Sequence, residues 1–148
     1  MTALAADRNT PAALGDLRRG DAAASVLIYA GALVMRDASG NITKGATATG
    51  AIGVGRAEER VDNTGGAAAA KTVPYRAGIF RFANSGSTDA ITKADIGKAC
   101  WIVDDQTVAR TSGTNTRSRA GIVEMVDDQG VHVRFDEALT RVATATAS

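Results

Sequence analysis

The side chains with the most reactive potential are Cys100, His132 and two adjacent aspartate pairs, Asp104-Asp105 and Asp127-Asp128. A nucleophilic cysteine needs a partly exposed, electropositive setting. Cys100 instead lies in the apolar run Ala99-Cys100-Trp101-Ile102, where a free cysteine packs as a small hydrophobe. Lys98 would share its strand face, so a modestly activated thiol stays open as the alternative. In Val131-His132-Val133-Arg134-Phe135 the histidine alternates onto the face of Arg134, opposite Val131, Val133 and Phe135. A solvent-side residue follows from that pattern. A catalytic triad would need a nucleophile and an acid gathered around it, and the chain has no Gly-x-Ser-x-Gly.

The aspartate pairs suggest a metal site only at first sight. Neighbours on a strand point to opposite faces, and the oxygen spacing of a calcium loop is missing. Both pairs sit in one pattern, Val103-Asp104-Asp105-Gln106-Thr107-Val108 and Val126-Asp127-Asp128-Gln129-Gly130-Val131. Asp side chains bond their own backbone two residues on, so the pattern reads as one hairpin turn used twice. Two copies do not make a solenoid. Gly50, Gly53 and Gly55 lack the Gly-Lys-Ser/Thr ending and the following helix of a phosphate loop. They read as strand glycines that permit close backbone approach. No enzyme, cofactor or metal is expected from these residues.

The elements that must position these groups are short strands. A chain of 148 residues fits one domain and can bury roughly 68–70% of its unfolded surface without a disulfide. Aromatics make up only 4%, so the core should be thin. Seventeen basic against sixteen acidic residues give a net charge of +1, which argues against nucleic acid as a partner. The N-terminus lacks the basic stretch of a signal peptide. No apolar run approaches the ~18 residues that cross a membrane, so no membrane partner is expected.

Strands are predicted at Ser25–Ala30, Ala32–Arg36, Ile42–Thr43, Ala51–Ala57 and Thr72–Arg76, with Pro74 at an edge or strand start. The stretch Gly78–Phe135 holds the only Trp and all three Phe. It should form three or four further strands and much of the core. Thr92-Lys93-Ala94-Asp95 has capping-box spacing. The expected fold is all-β: a small β-barrel or β-sandwich of about seven to nine short strands. Residues 1–23 form an N-terminal arm, 24–135 the β domain with a mobile loop at 64–71, and 136–148 a flexible C-terminal tail.

The arm has two readings. Thr10 as N-cap, Pro11 at the first helical position, Arg18-Arg19 at the C-terminal end and Gly20 as stop suit a short helix. Gly15 and the short length suit an extended segment. Arg8, Arg56, Arg60, Arg76, Arg81, Arg117 and Arg119 read either as a scattered solvated surface or as a protein–protein interface.

The order Val26–Ala30, Ala51–Ala57, Gly78-Ile79-Phe80, Ile96-Gly97, Trp101–Asp104 with Val108, Gly121-Ile122-Val123 and Val131–Phe135 resembles the capsid decoration, or cement, proteins of tailed bacteriophages. The likeness is to the siphophage and Mu-like versions and covers roughly residues 24–135. The arm and the 64–71 segment are longer than in the shortest members. The resemblance implies a non-enzymatic virion protein, made in the host bacterial cytoplasm and placed on the outer capsid surface. There it would bind the major capsid protein, bridge its subunits and associate with itself as a homotrimer at threefold positions. Arm contacts are then expected from Leu4, Pro11, Leu14, Leu17 and Arg18. The alternative is another virion or surface module, such as a tail or fibre piece that binds glycan, for which Trp101, Tyr29 and Tyr75 are the aromatic candidates.

Overall fold

The computed structural model describes residues 2–13 and 15–143, which form twelve strands and one α-helix. In chain order these are β1 (Leu17–Asp21), β2 (Leu27–Ile28), β3 (Leu33–Arg36), β4 (Ile42–Lys44), β5 (Ile52–Ala57), β6 (Val61–Asp62), β7 (Thr72–Arg76), β8 (Gly78–Asn84), β9 (Ala99–Ile102), β10 (Thr107–Ala109), β11 (Arg119–Asp127) and β12 (Gly130–Phe135), followed by α1 (Glu137–Val142). The protein is all-β as expected. The count exceeds seven to nine because pairs as short as β2 with β6 form ladders of their own.

The stretch 78–135 contributes five strands rather than three or four. They close on themselves in the order β11-β12-β8-β10-β9, and β9 pairs back onto β11. A closed sheet has no edge, and its interior takes every second side chain of β12: Val131, Val133 and Phe135. Phe82, Cys100, Ile102, Val108, Ala120 and Val123 fill the rest. Phe135 meets Phe80 at a tilt and Phe82 edge to face, at centroid distances of 6.2 and 5.7 Å. The repeated turn is one device used twice. Asp104 Oδ1 accepts from Gln106 N at 2.9 Å, and Asp127 Oδ1 from Gln129 N at 2.8 Å. The capping box at Thr92–Asp95 forms on a single 3-10 turn.

Outside the barrel, β3, β4, β5, β7 and β1 build a second layer with its own core of Ala22, Val26, Ile28, Val34, Ile42, Val54, Val73 and Tyr75. Strand β3 belongs to both. Leu33 and Met35 enter the barrel core and Val34 enters the other, so three consecutive apolar residues are all buried. The glycines of β5 serve close approach. A Cβ on Gly53 would collide with the backbone of Ala120, and one on Gly55 with the Arg76 carbonyl.

Several expectations need correction. The Ser25–Ala30 strand shrinks to Leu27–Ile28, because Ser25 (φ 49°) and Gly31 (φ 85°) take left-handed turns on either side. Of the two readings of the arm, the structure has the extended one, and the helix punctuation at Thr10–Gly20 makes no helix among the described residues. Leu17–Asp21 is extended and pairs antiparallel with β7, from Leu17↔Arg76 to Asp21↔Thr72. A five-residue ladder outweighs a short glycine-interrupted helix that would have no packed face. Pro74 is not on an edge, since β1 covers that side of β7. Its carbonyl accepts from Glu58 N at 2.9 Å on the side away from β1. The missing N–H points the same way, so the β1 ladder loses nothing.

The expected tail begins with structure. Asp136 caps α1, accepting from Leu139 N at 3.0 Å, and Glu137 ties the helix to β3. Residues 144–148 lie outside the described residues. Beside and within the 64–71 segment, Asn63 Nδ2 donates to Ala23 O and Ala67 O at 2.8 and 3.0 Å, and Ala69 N donates to Ala22 O at 2.9 Å.

Candidate functional site

The exposed first part of the arm, residues 2–13, leads toward β1, which is the arm's second part, and the ladder fixes which side of that strand stays open. Ala77 N donates to Asp16 O and Ala22 N to Lys71 O, both at 2.8 Å. Alternation therefore turns the backbone groups of Asp16, Arg18, Gly20 and Ala22 toward β7. The N–H and C=O groups of Leu17 and Arg19 face outward, with no further strand beside them among the described residues; the open edge ends at Asp21, because Ala22 bridges in parallel to Ile42 of β4 and Ala23 N donates to Ile42 O at 2.9 Å. Such an edge is a template for pairing with another chain. Gly20 lets β1 lie close, since a Cβ there would sit 2.5 Å from Ile42 Cγ1.

Of the five expected contact residues, Leu4 (73% exposed) and Pro11 lie in the irregular, exposed segment 2–13. Leu17 (53% exposed) and Arg18 lie on β1, on opposite faces. Arg18 Nε donates to Gly15 O at 2.7 Å, bracing the turn into the strand. Leu14 lies outside the described residues. The structure thus joins Leu17 and Arg18 on one element and gives Leu4 and Pro11 no common face.

A second exposed surface escaped sequence reading. Ile79 and Met125, each 49% exposed, sit on the outer barrel wall of β8, β12 and β11. Arg134 pairs across to Ile79, and His132 to Arg81 and Met125. The signal for Ile79 was its alternation against Phe80 and Phe82. Met125 is turned outward by a bulge between Val123 and Met125 that strict alternation could not reveal. His132 lies on this wall, half-buried, and its Nδ1 has no partner among the described residues.

The other candidates resolve into structural roles. Cys100 is buried in the barrel, and that burial pushes its thiol up to about 12, which holds it in the unreactive protonated form. The aspartate pairs hold turns, and no three His, Cys, Asp or Glu gather at metal-binding distance among the described residues. Most of the seven arginines are engaged. Arg56 stacks over Phe80 at 4.2 Å and pairs with Glu58 at 2.7 Å; Arg76 pairs with Asp16 at 2.6 Å. Arg81 donates to Gln129 at 2.7 Å, and Arg117 pairs with Asp89 at 2.9 Å. Of the aromatics suited to a sugar face, Tyr75 and Trp101 are buried. Tyr29 is 54% exposed but has the Arg60 guanidinium over its ring at 5.5 Å.

Compared with protein-family models, curated proteins and solved structures, the chain matches none.

Proposed function

We propose that the protein is a structural virion component that binds the outer surface of an icosahedral phage head and stabilises it by bridging major capsid subunits. The observation that carries this reading is the exposed segment 2–13 running into β1, whose outer edge is open at Leu17 and Arg19. An extended arm on a rigid domain reaches a neighbour without unfolding the domain, and the edge of β1 offers backbone hydrogen bonds to whatever lies beside it. The family resemblance of residues 24–135 points the same way, to a homotrimer at threefold positions.

Such a role needs no reactive group. Each contact can be weak, because engaging several subunits at once raises the effective concentration of the remaining contacts. A protein that binds only the assembled shell stabilises it by mass action, by about 2.7 kcal/mol per site at roughly 100 times Kd.

The test is co-sedimentation with assembled heads, using the full chain and a variant lacking residues 2–13. The cut stops short of β1 so that the ladder with β7 survives. The full chain should pellet with heads and raise their disruption temperature, and the shortened chain should bind at least about tenfold more weakly. Equal binding by the two chains removes the arm from the interface. No binding by the full chain rejects the reading.

A further inference from the structure

A pocket of about 320 Å³ opens where the start of β11 meets β5, β9 and α1. Ile52 and Trp101 form an apolar part of its wall, and Arg117, Arg119 and Arg141 supply cations, with no aspartate or glutamate among the lining residues. Two of these cations are balanced from outside the wall. Arg117 pairs with Asp89 at 2.9 Å and Arg141 with Glu137 at 2.7 Å. Among the described residues Arg119 has no carboxylate within ion-pair distance. It donates one hydrogen bond, to Ala143 O at 2.6 Å, and holds its guanidinium 5.8 Å from the Trp101 ring. A guanidinium has five donors, so most of Arg119's remain.

An independent observation lies in the same wall. Thr140 is fully buried, and its hydroxyl has no partner among the described residues. A buried hydroxyl without a partner is costly, and most such groups in folded proteins are satisfied. Helix α1 therefore carries an unmet polar group in the wall that also holds the unbalanced arginine.

From this we infer that the pocket is a binding site for a small organic monocarboxylate, held by Arg119 and the Thr140 hydroxyl with its apolar body against Ile52 and Trp101. One unbalanced cation calls for one negative charge. A phosphate monoester, with a charge of about −1.5 to −2, overfills it. The planar carboxylate matches the guanidinium fork. The volume lies at the small end of ligand pockets, roughly 300–1,000 Å³. This inference does not rest on the head-binding reading.

Trp101 is the only tryptophan, so its emission reports on this site alone. The probe is cyclohexanecarboxylate, titrated into the full chain at constant ionic strength, with cyclohexanecarboxamide as the neutral control. A saturable change with the acid and none with the amide is expected. Arg119→Gln should weaken binding by at least about tenfold. Arg119 also anchors the end of α1, so Thr140→Val provides a second arm. It should weaken binding while melting no lower than the natural chain, since it removes an unmet buried hydroxyl. A non-saturable response, an equal response to the amide, or unchanged affinity in a folded Arg119→Gln protein overturns the proposal. If Arg119→Gln does not fold, unchanged affinity in Thr140→Val overturns it.

Discussion

The barrel and the layer beside it solve the same problem with different means. The barrel closes its sheet and fills it with Phe82, Phe135 and β-branched residues. The layer keeps an open edge at β1, and its core has one aromatic, Tyr75, among small aliphatic side chains. Where apolar volume is scarce, polar ties take over. Asn63, 3% exposed, bonds two carbonyls of neighbouring loops. Arg36 donates to Glu137 from Nε at 2.9 Å and from Nη2 at 3.2 Å, and also to the Tyr75 hydroxyl at 3.1 Å. A closed apolar core is suited to hold shape, and a polar-tied layer with a free edge is suited to meet a partner. Strand β3 keeps the two from being independent, because its side chains alternate between the cores.

The largest break in this comparison is Phe135→Ala. Phe135 is 2% exposed and touches both other phenylalanines, so truncation should cost about 3–5 kcal/mol, a large share of a typical stability of 5–15 kcal/mol. Urea unfolding followed by Trp101 emission and by circular dichroism measures it. Coincident transitions are expected, since β3 links the cores. Two separated transitions would show that the layer folds without the barrel.

A smaller effect should come from the seam. Burial alone would raise the Glu137 carboxyl, but hydrogen bonds from Arg36 and Arg141 hold it below its ordinary value. A depressed folded value contributes stability that is full above the unfolded value, about 4.3, and is lost as pH falls through the folded value. Glu137→Gln should therefore lower stability at neutral pH by about 2 kcal/mol, the scale of hydrogen bonds to a charged group. The gap to the natural chain should shrink toward zero in acid. A gap that stays constant with pH would mean that the pair contributes shape and not charge.

The barrel was the more legible half. Val131–Phe135 alternates cleanly, and the twin Val-Asp-Asp-Gln turns carry their own side-chain acceptors, so local chemistry sufficed. Closure was not legible. It depends on the parallel pairing of β10 with β8 and the return of β9 to β11, which are contacts between segments distant in sequence. The arm stayed ambiguous for the opposite reason. Thr10, Pro11, Arg18 and Gly20 fit helix ends locally, but Gly20 is there so that β1 can lie against Ile42 and Tyr75. The packing roles of Arg36 and Arg56 were hidden because their partners, Glu137 and Phe80, lie far along the chain. The pocket beside Trp101 gave no sequence signal, since its wall draws on β5, β9, β11 and α1.

The smallest effect should come from the arm, and its smallness is informative. Leu4 and Pro11 belong to neither core, and exposed segments outside hydrogen-bonded structure add little to folding. Removing residues 2–13 should leave the unfolding free energy in urea within about 0.5 kcal/mol of the natural chain. Stability that holds while head binding falls would separate the two halves of the proposal, a domain that folds and an arm that attaches. A clear loss of stability would place the arm against the layer in solution. The open edge of β1 would then be closed by the chain itself and would not be available to a partner.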